Sequence, residues 1–218
     1  MKNCNRKQLA ASAALLVAFV LWTVIVCAAD VQPIGPEGSK VGLATLNGAF
    51  HSLTGVHMNL YLLTDWLSLI LGGIVLGFGC LGLVQWVQRK SLGKVDFSIL
   101  ALGGFYVAVG AAYVLFEILT INYRPVLIEG VLEASYPSST TMLAMCVVPT
   151  AWMQLHARIR KENLRRWVSI ALGLFMAFMV LGRLISGVHW CTDIIGGALL
   201  SMGLVLAYAA VAFPESGK

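Results

Sequence analysis

Charge is what this sequence has least of. Only 11% of its 218 residues are Asp, Glu, Lys or Arg, while 59% are hydrophobic and the mean hydropathy is +0.84. An ordinary soluble domain carries about 25% charged residues, so a soluble globule is excluded. No internal repeat and no second compositional unit interrupts the chain, which leaves a single domain over residues 1–218. The five cysteines form neither a C-x-x-C pair nor a Cys/His metal spacing, so no metal or other cofactor is expected from them. Cys80 and Cys146 fall mid-span as small hydrophobes, and spacing alone cannot pair Cys27 with Cys191.

What is present is a series of apolar runs. Six windows reach or approach the roughly 20 residues needed to cross a bilayer: 9–29, 66–87, 99–119, 140–155, 168–185 and 194–213. Glycines inside four of them suit close helix packing in lipid. The expected fold is an all-α polytopic membrane protein with six transmembrane helices. The first run is longer than the usual 7–15 apolar residues of a signal peptide, so a retained helix is expected.

Basic residues set the orientation. Lys2, Arg6, Lys7, Arg89, Lys90, Lys94, Arg158, Arg160, Lys161, Arg165, Arg166 and Lys218 place 12 of the 15 Lys and Arg on one side. The positive-inside rule assigns that side, and both termini, to the cytoplasm of a multi-pass cell-membrane protein. The net charge of +5 then follows from topology and argues for membrane lipids rather than nucleic acid as a partner. Residues 30–65 become an external loop. Within it Val41, Leu43, Leu46, Phe50 and Leu53 recur at near-helical spacing, which predicts a short external helix lying in the interface.

With that orientation, three separate segments send polar residues to the outer face. They carry Arg124, the Ser138–Ser139–Thr140–Thr141 run, and Arg183, His189 and Asp193. Each has a plain structural use: Arg183 as a snorkelling arginine, Ser138 or Ser139 as a helix cap, Asp193 as another cap. Their convergence argues for a site, because ionisable groups in or beside membrane segments are costly. Arg124 and Arg183 can grip phosphate oxygens, and the N–H groups that begin the Ser138–Ser139–Thr140 helix offer a further anion site. His189 can attack phosphorus, and Asp193, four residues on, can orient its imidazole. No metal is required for that chemistry.

The pattern Arg183-x5-His189-x3-Asp193, preceded by Asn122-Tyr123-Arg124-Pro125 and Tyr136-Pro137-Ser138-Ser139-Thr140-Thr141, resembles the phosphatidic acid phosphatase type 2 family. That family is related in fold to the vanadium haloperoxidases, and the likeness covers residues 60–213. It implies a membrane phosphatase with an outward-facing site and a phosphohistidine intermediate. Three positions depart from the family pattern: Gly182 replaces a Ser, Glu117 replaces a Lys, and Thr140 replaces the histidine that acts as general acid. A threonine hydroxyl is too weak an acid for that role. A lipid alcohol leaves as an alkoxide, with a conjugate acid near water's pKa of about 15.7. The phosphomonoester released from a lipid diphosphate has a pKa near about 6 and departs without help. The expected substrate is therefore a lipid phosphate or, preferentially, a polyprenyl diphosphate. His51, His57, Glu129 and Glu133 are the candidates for a substitute acid. Glu117 either pairs with Arg124 or Arg183 and positions it, or marks a site that is degenerate or takes a substrate carrying a cation. The alternatives are a catalytically degenerate relative that binds or moves a phosphorylated lipid, and a lipid phosphotransferase.

The topology is checked by cysteine substitution at positions 36 and 163 followed by labelling of sealed cells with a membrane-impermeant reagent. Position 36 should label and position 163 should not; equal labelling contradicts the orientation.

Overall fold

The computed structural model describes residues 2–213, so Lys218 lies outside the described residues. Seven α-helices follow one another: α1 (Lys2–Ala28), α2 (Ala44–Thr54), α3 (Met58–Arg89), α4 (Phe97–Ile118), α5 (Ser139–Arg158), α6 (Glu162–Ile185) and α7 (Cys191–Ala212). The described residues contain no β-strand, only isolated antiparallel bridges in the loops.

Five helices are long and apolar enough to cross a membrane: α1, α3, α4, α6 and α7. The sixth expected span, α5, falls short on composition, with Thr140, Thr141, Thr150, Gln154, His156 and Arg158 along it. Its position in the fold explains why. Half of its residues are buried in protein, between α6 and α7 and against α3, so its polar groups meet partners rather than lipid. Thr150 donates to the carbonyl of Cys146 at 2.7 Å, and Gln154 donates to that of Ser98 at 3.0 Å. The helices around it turn apolar faces outward, with Val17, Leu21, Leu69, Leu76, Val107 and Leu174 all exposed, as lipid contact demands.

Two helix boundaries differ from the sequence windows in ways that matter. α3 starts at Met58 rather than 66, so Tyr61 and Asp65 stand on a helix rather than in the expected 30–65 loop. The short helix expected there is α2, and Leu46 and Leu53 on its apolar stripe stay exposed. It docks instead through Asn47, which is fully buried. That amide donates to the Gly42 carbonyl at 2.8 Å and to the Thr192 hydroxyl at 3.0 Å. Cys27, Cys80, Cys146 and Cys191 are all free thiols.

Gly182 accounts for one departure from the family pattern. It lies where α6 crosses α3, and a Cβ there would stand 2.7 Å from Thr64 Cγ2. The missing side chain lets the two helices close on each other one residue before Arg183. Gly182→Ala should lower the thermal midpoint of the detergent-purified protein by an overpacking cost of about 1–3 kcal/mol. Thr64→Ser removes the offending methyl and keeps the hydroxyl, so the double variant should regain most of the loss. Additive losses would show that the contact does not set the spacing.

Candidate active site

The site is assembled from one end of the bundle. Residues 186–190, which join α6 to α7, are gripped from two sides. On one side His57 N–H donates to the Ser186 carbonyl at 2.9 Å, and Gly187 backs onto Gly55 with φ +67. A Cβ on Gly187 would sit 1.9 Å from the Gly55 carbonyl oxygen, so only glycine fits this left-handed, close-packed position. On the other side Trp190 Nε1 donates to the Tyr123 carbonyl at 2.7 Å. Residues 122–135 fold back on themselves, with Arg124 N–H on the Glu133 carbonyl at 3.0 Å and Ser135 N–H on that of Asn122 at 2.9 Å. That return makes Arg124 and Glu133 cross-chain neighbours.

His189 is buried in this clamp. Arg124 Nη1 lies 3.1 Å from its Nε2, and a guanidinium can only donate, so Nε2 carries the lone pair. The ring proton is then on Nδ1, 3.6 Å from Asp193 Oδ2, slightly beyond a hydrogen bond. Asp193 is itself fixed. Its Oδ2 accepts from Trp190 N–H at 3.0 Å, which caps α7, and its Oδ1 accepts from Asn122 Nδ2 at 3.4 Å. One carboxylate thus caps α7 and stands behind the imidazole. Burial is the main cause pushing His189 down to about 4; Arg124 and Arg183 act the same way and Asp193 opposes them. The imidazole is neutral at physiological pH, with its Nε2 lone pair facing Arg124.

Arg183 is the largest fully buried side chain, only 1% exposed. Its Nη2 donates to Asp65 Oδ1 and to Thr140 Oγ1, each at 2.7 Å, and its guanidinium carbon stands 4.5 Å from the Tyr61 ring centroid. Its Nε and Nη1 have no protein partner. Arg124 lies over the same Tyr61 ring at 5.7 Å and pairs through Nε with Glu133 at 3.0 Å.

The expected residues divide as follows. Arg124, Thr140, Arg183, His189 and Asp193 are brought together. Ser139 lines a narrow cleft with Arg124, His189 and Glu117. Ser138 is turned inward: it is fully buried, it caps α5 by accepting from Thr141 N–H at 3.5 Å, and its own N–H donates to the Asp193 carbonyl. Glu117 pairs with neither arginine; their carboxylate partners are Glu133 and Asp65. Of the four candidate acids, only Glu133 meets a site residue. His51 packs against Trp190 with ring centroids 5.5 Å apart, His57 bonds the Thr54 carbonyl, and Glu129 occupies the turn between the bridged residues Ile128 and Val131. Sequence reasoning missed Tyr61, Asp65, Asn47 and Asn122. Asp65 alone left a signal, as an acid at the very edge of an apolar run and one helical turn after Tyr61.

The PAP2 superfamily pattern matches residues 115–216, a stretch that holds every residue of this site except those on α2 and α3. The chain is similar to phosphatidylglycerophosphatase B of Bacillus subtilis (strain 168), 31% identical over 99 residues. That alignment covers 44% of this chain and 46% of the relative, so it spans about half of each. The fold is shared with the crystal structure of the first transmembrane PAP2 type phosphatidylglycerolphosphate phosphatase from Bacillus subtilis. The TM-score is 0.53 and the identity 20%, over 95% of this chain and 97% of the other.

A histidine held neutral by burial links stability to pH. The unfolded imidazole takes a proton below its ordinary value of 6.5, and the folded one does so only near about 4. Stability from this group is therefore full above pH 6.5 and is lost as pH falls through that window, by roughly 3 kcal/mol at about 1.4 kcal/mol per unit. The thermal midpoint of the wild type should fall more steeply from pH 6.5 to 4 than that of His189→Gln. Equal slopes would contradict a buried neutral imidazole.

Proposed function

We propose that the chain is a member of the PAP2 superfamily, a multi-pass membrane phosphatase that hydrolyses a phosphorylated lipid at the Arg124–Arg183–His189–Asp193 cluster. The observation that carries this reading is the state of Arg183. A buried guanidinium with two unpaired donors is arranged to receive an anion, and a neutral histidine whose lone pair is held by the second arginine stands in the same cluster. In the proposed reaction the substrate phosphoryl takes the place of Arg124 on His189 Nε2 and is bound by both guanidinium groups. Nε2 attacks phosphorus, the bond from phosphorus to the leaving oxygen breaks with its electron pair on that oxygen, and a phosphohistidine forms. The charge that develops on the imidazole is carried toward Asp193 by the Nδ1 proton. Water then cleaves the phosphohistidine. No metal enters these steps.

The substrate we favour is a polyprenyl diphosphate. Thr140 accepts a hydrogen bond from Arg183 and cannot act as a strong acid, which suits a leaving group that needs no proton. On the orientation read from the basic residues, six spans place both termini in the cytoplasm and the site outside. Ser139 and Thr140, at the start of α5, add N–H groups for the phosphate. A second reading, a binder or phosphotransferase, draws on the pairing of both arginines with carboxylates, which weakens their hold on a polyanion.

Phosphate release by purified protein from a panel of lipid mono- and diphosphates separates these readings. Turnover should be faster on the diphosphates and be abolished in His189→Ala without loss of folding. Release from an equally folded His189→Ala protein, or from no lipid in the panel, contradicts the proposal.

A further inference from the structure

We infer that Asp65 is the general base that activates water in the second half of the reaction. The inference rests on the phosphatase reading above and adds a catalytic residue that lies outside the stretch matched by the superfamily pattern.

The hydrolysis of a phosphohistidine needs a group that removes a proton from the attacking water. His189 is then covalently blocked, and Asp193 is sealed at 0% side-chain exposure with both oxygens engaged by Trp190 and Asn122. Thr140 has no ionisable proton in the useful range. Two carboxylates remain on the arginines. Glu133 is bound to Arg124 through Nε, and its place there is set by the backbone pairing of residues 124 and 133. Asp65 is held at 2.7 Å on Arg183 Nη2, on the same guanidinium whose Nε and Nη1 have no partner. A phosphoryl group received by those donors lies directly beside its carboxylate.

Access sets Asp65 apart from the buried groups it adjoins. Its side chain is 57% exposed, against 2% for Arg183 and for His189. Glu133 also meets solvent but sits on Arg124, so Asp65 is the one carboxylate that touches the buried Arg183 and can pass a proton to solvent. α3 supports that geometry: Tyr61, one turn earlier on the same face, stacks on Arg183 and fixes where the guanidinium meets the carboxylate. Leu60 and Tyr61 carbonyls both accept from Thr64, at 3.0 and 2.9 Å, which secures this turn of the helix.

The step balances simply. A water O–H proton passes to the Asp65 carboxylate as the water oxygen bonds to phosphorus. The bond from phosphorus to His189 Nε2 breaks with its electron pair returning to nitrogen. Inorganic phosphate leaves, His189 is neutral again, and protonated Asp65 loses its proton to solvent. With a diphosphate substrate the first half needs no acid, so the one proton transfer the site must catalyse falls in this half.

The test is a rapid-quench experiment with farnesyl diphosphate labelled at the terminal phosphorus. Asp65→Asn should keep a burst of farnesyl monophosphate near one per enzyme, accumulate base-stable labelled protein, and lose steady-state phosphate release by about 10²–10⁴-fold. Asp65→Glu should restore much of the steady-state rate. Glu133→Gln should slow burst and steady state together, because it disturbs the hold of Arg124 without removing the base. A burst lost in proportion to turnover in Asp65→Asn makes Asp65 a positioning residue only and overturns the inference. Accumulation of labelled protein in Glu133→Gln instead overturns it in favour of Glu133. A wild type that forms no labelled protein and releases no phosphate overturns the phosphatase reading itself, a different result from either.

Discussion

One guanidinium, that of Arg183, sits almost wholly out of water, and much of the rest of the site is arranged around it. Removing a cation from solvent costs several kcal/mol unless it is compensated. Compensation comes from two other helices at once: a carboxylate and an aromatic face from α3, and a hydroxyl from α5. None of these contacts is local, since Asp65 is 118 residues away in sequence and Thr140 is 43. Their simultaneous presence requires α3, α5 and α6 to meet at one level. Gly182 allows it by admitting Thr64 of α3, and Ser138 allows it by starting α5 where Thr140 faces inward. A backbone choice and a helix cap thus fix where a charge can be buried.

His189 obeys the opposite rule. It is buried as a neutral group, and its surroundings decide which nitrogen is free. Arg124 donates to Nε2, so the tautomer is set from the substrate side, and Asp193 stands behind Nδ1 at a distance that a substrate can close. Catalytic hydrogen bonds are often long in the free enzyme and tighten only with substrate in place. Asp193 is held by Trp190 and Asn122 whether or not the imidazole moves. The rigid member of the pair is therefore the acid, while the base is the part left free to respond.

How much of this was legible in the sequence depends on range. The pattern Arg183-x5-His189-x3-Asp193 is local: His189 and Asp193 stand 3.6 Å apart, and Arg183 joins them through the Tyr61 ring it shares with Arg124. The helix over 44–54 followed from apolar spacing, although the residue that docks it, Asn47, is polar and gave no periodic signal. The window 140–155 was read as a span, yet α5 falls short of one on composition because a helix enclosed by other helices has no need to be apolar. For Glu117, which stands where the family pattern has a Lys, one of the two readings was a pairing with an arginine. The pairing went to Glu133 through a backbone return, and to Asp65 through a helix that began earlier than its apolar run. Ion pairs between distant segments follow from packing, which a single sequence does not display.

The three departures from the family pattern read differently once they are placed in space. Gly182 is a packing solution and carries no chemistry. Thr140 sits on Arg183 as an acceptor, so that position holds a buried cation where a histidine would carry a proton. Glu117 lines the cleft beside Arg124 and His189 and repels a polyanion. An acid lost from α5 and a base present on α3 are compatible in one mechanism only if the two half-reactions make unequal demands. A leaving group that is already a good anion meets that condition, because its departure needs no proton while the entry of water still does. The identity of the leaving group and the place of the carboxylate therefore constrain each other. A substrate that departs as an alkoxide would need its proton in the first half, when Asp65 is paired with Arg183 as a carboxylate and has none to give.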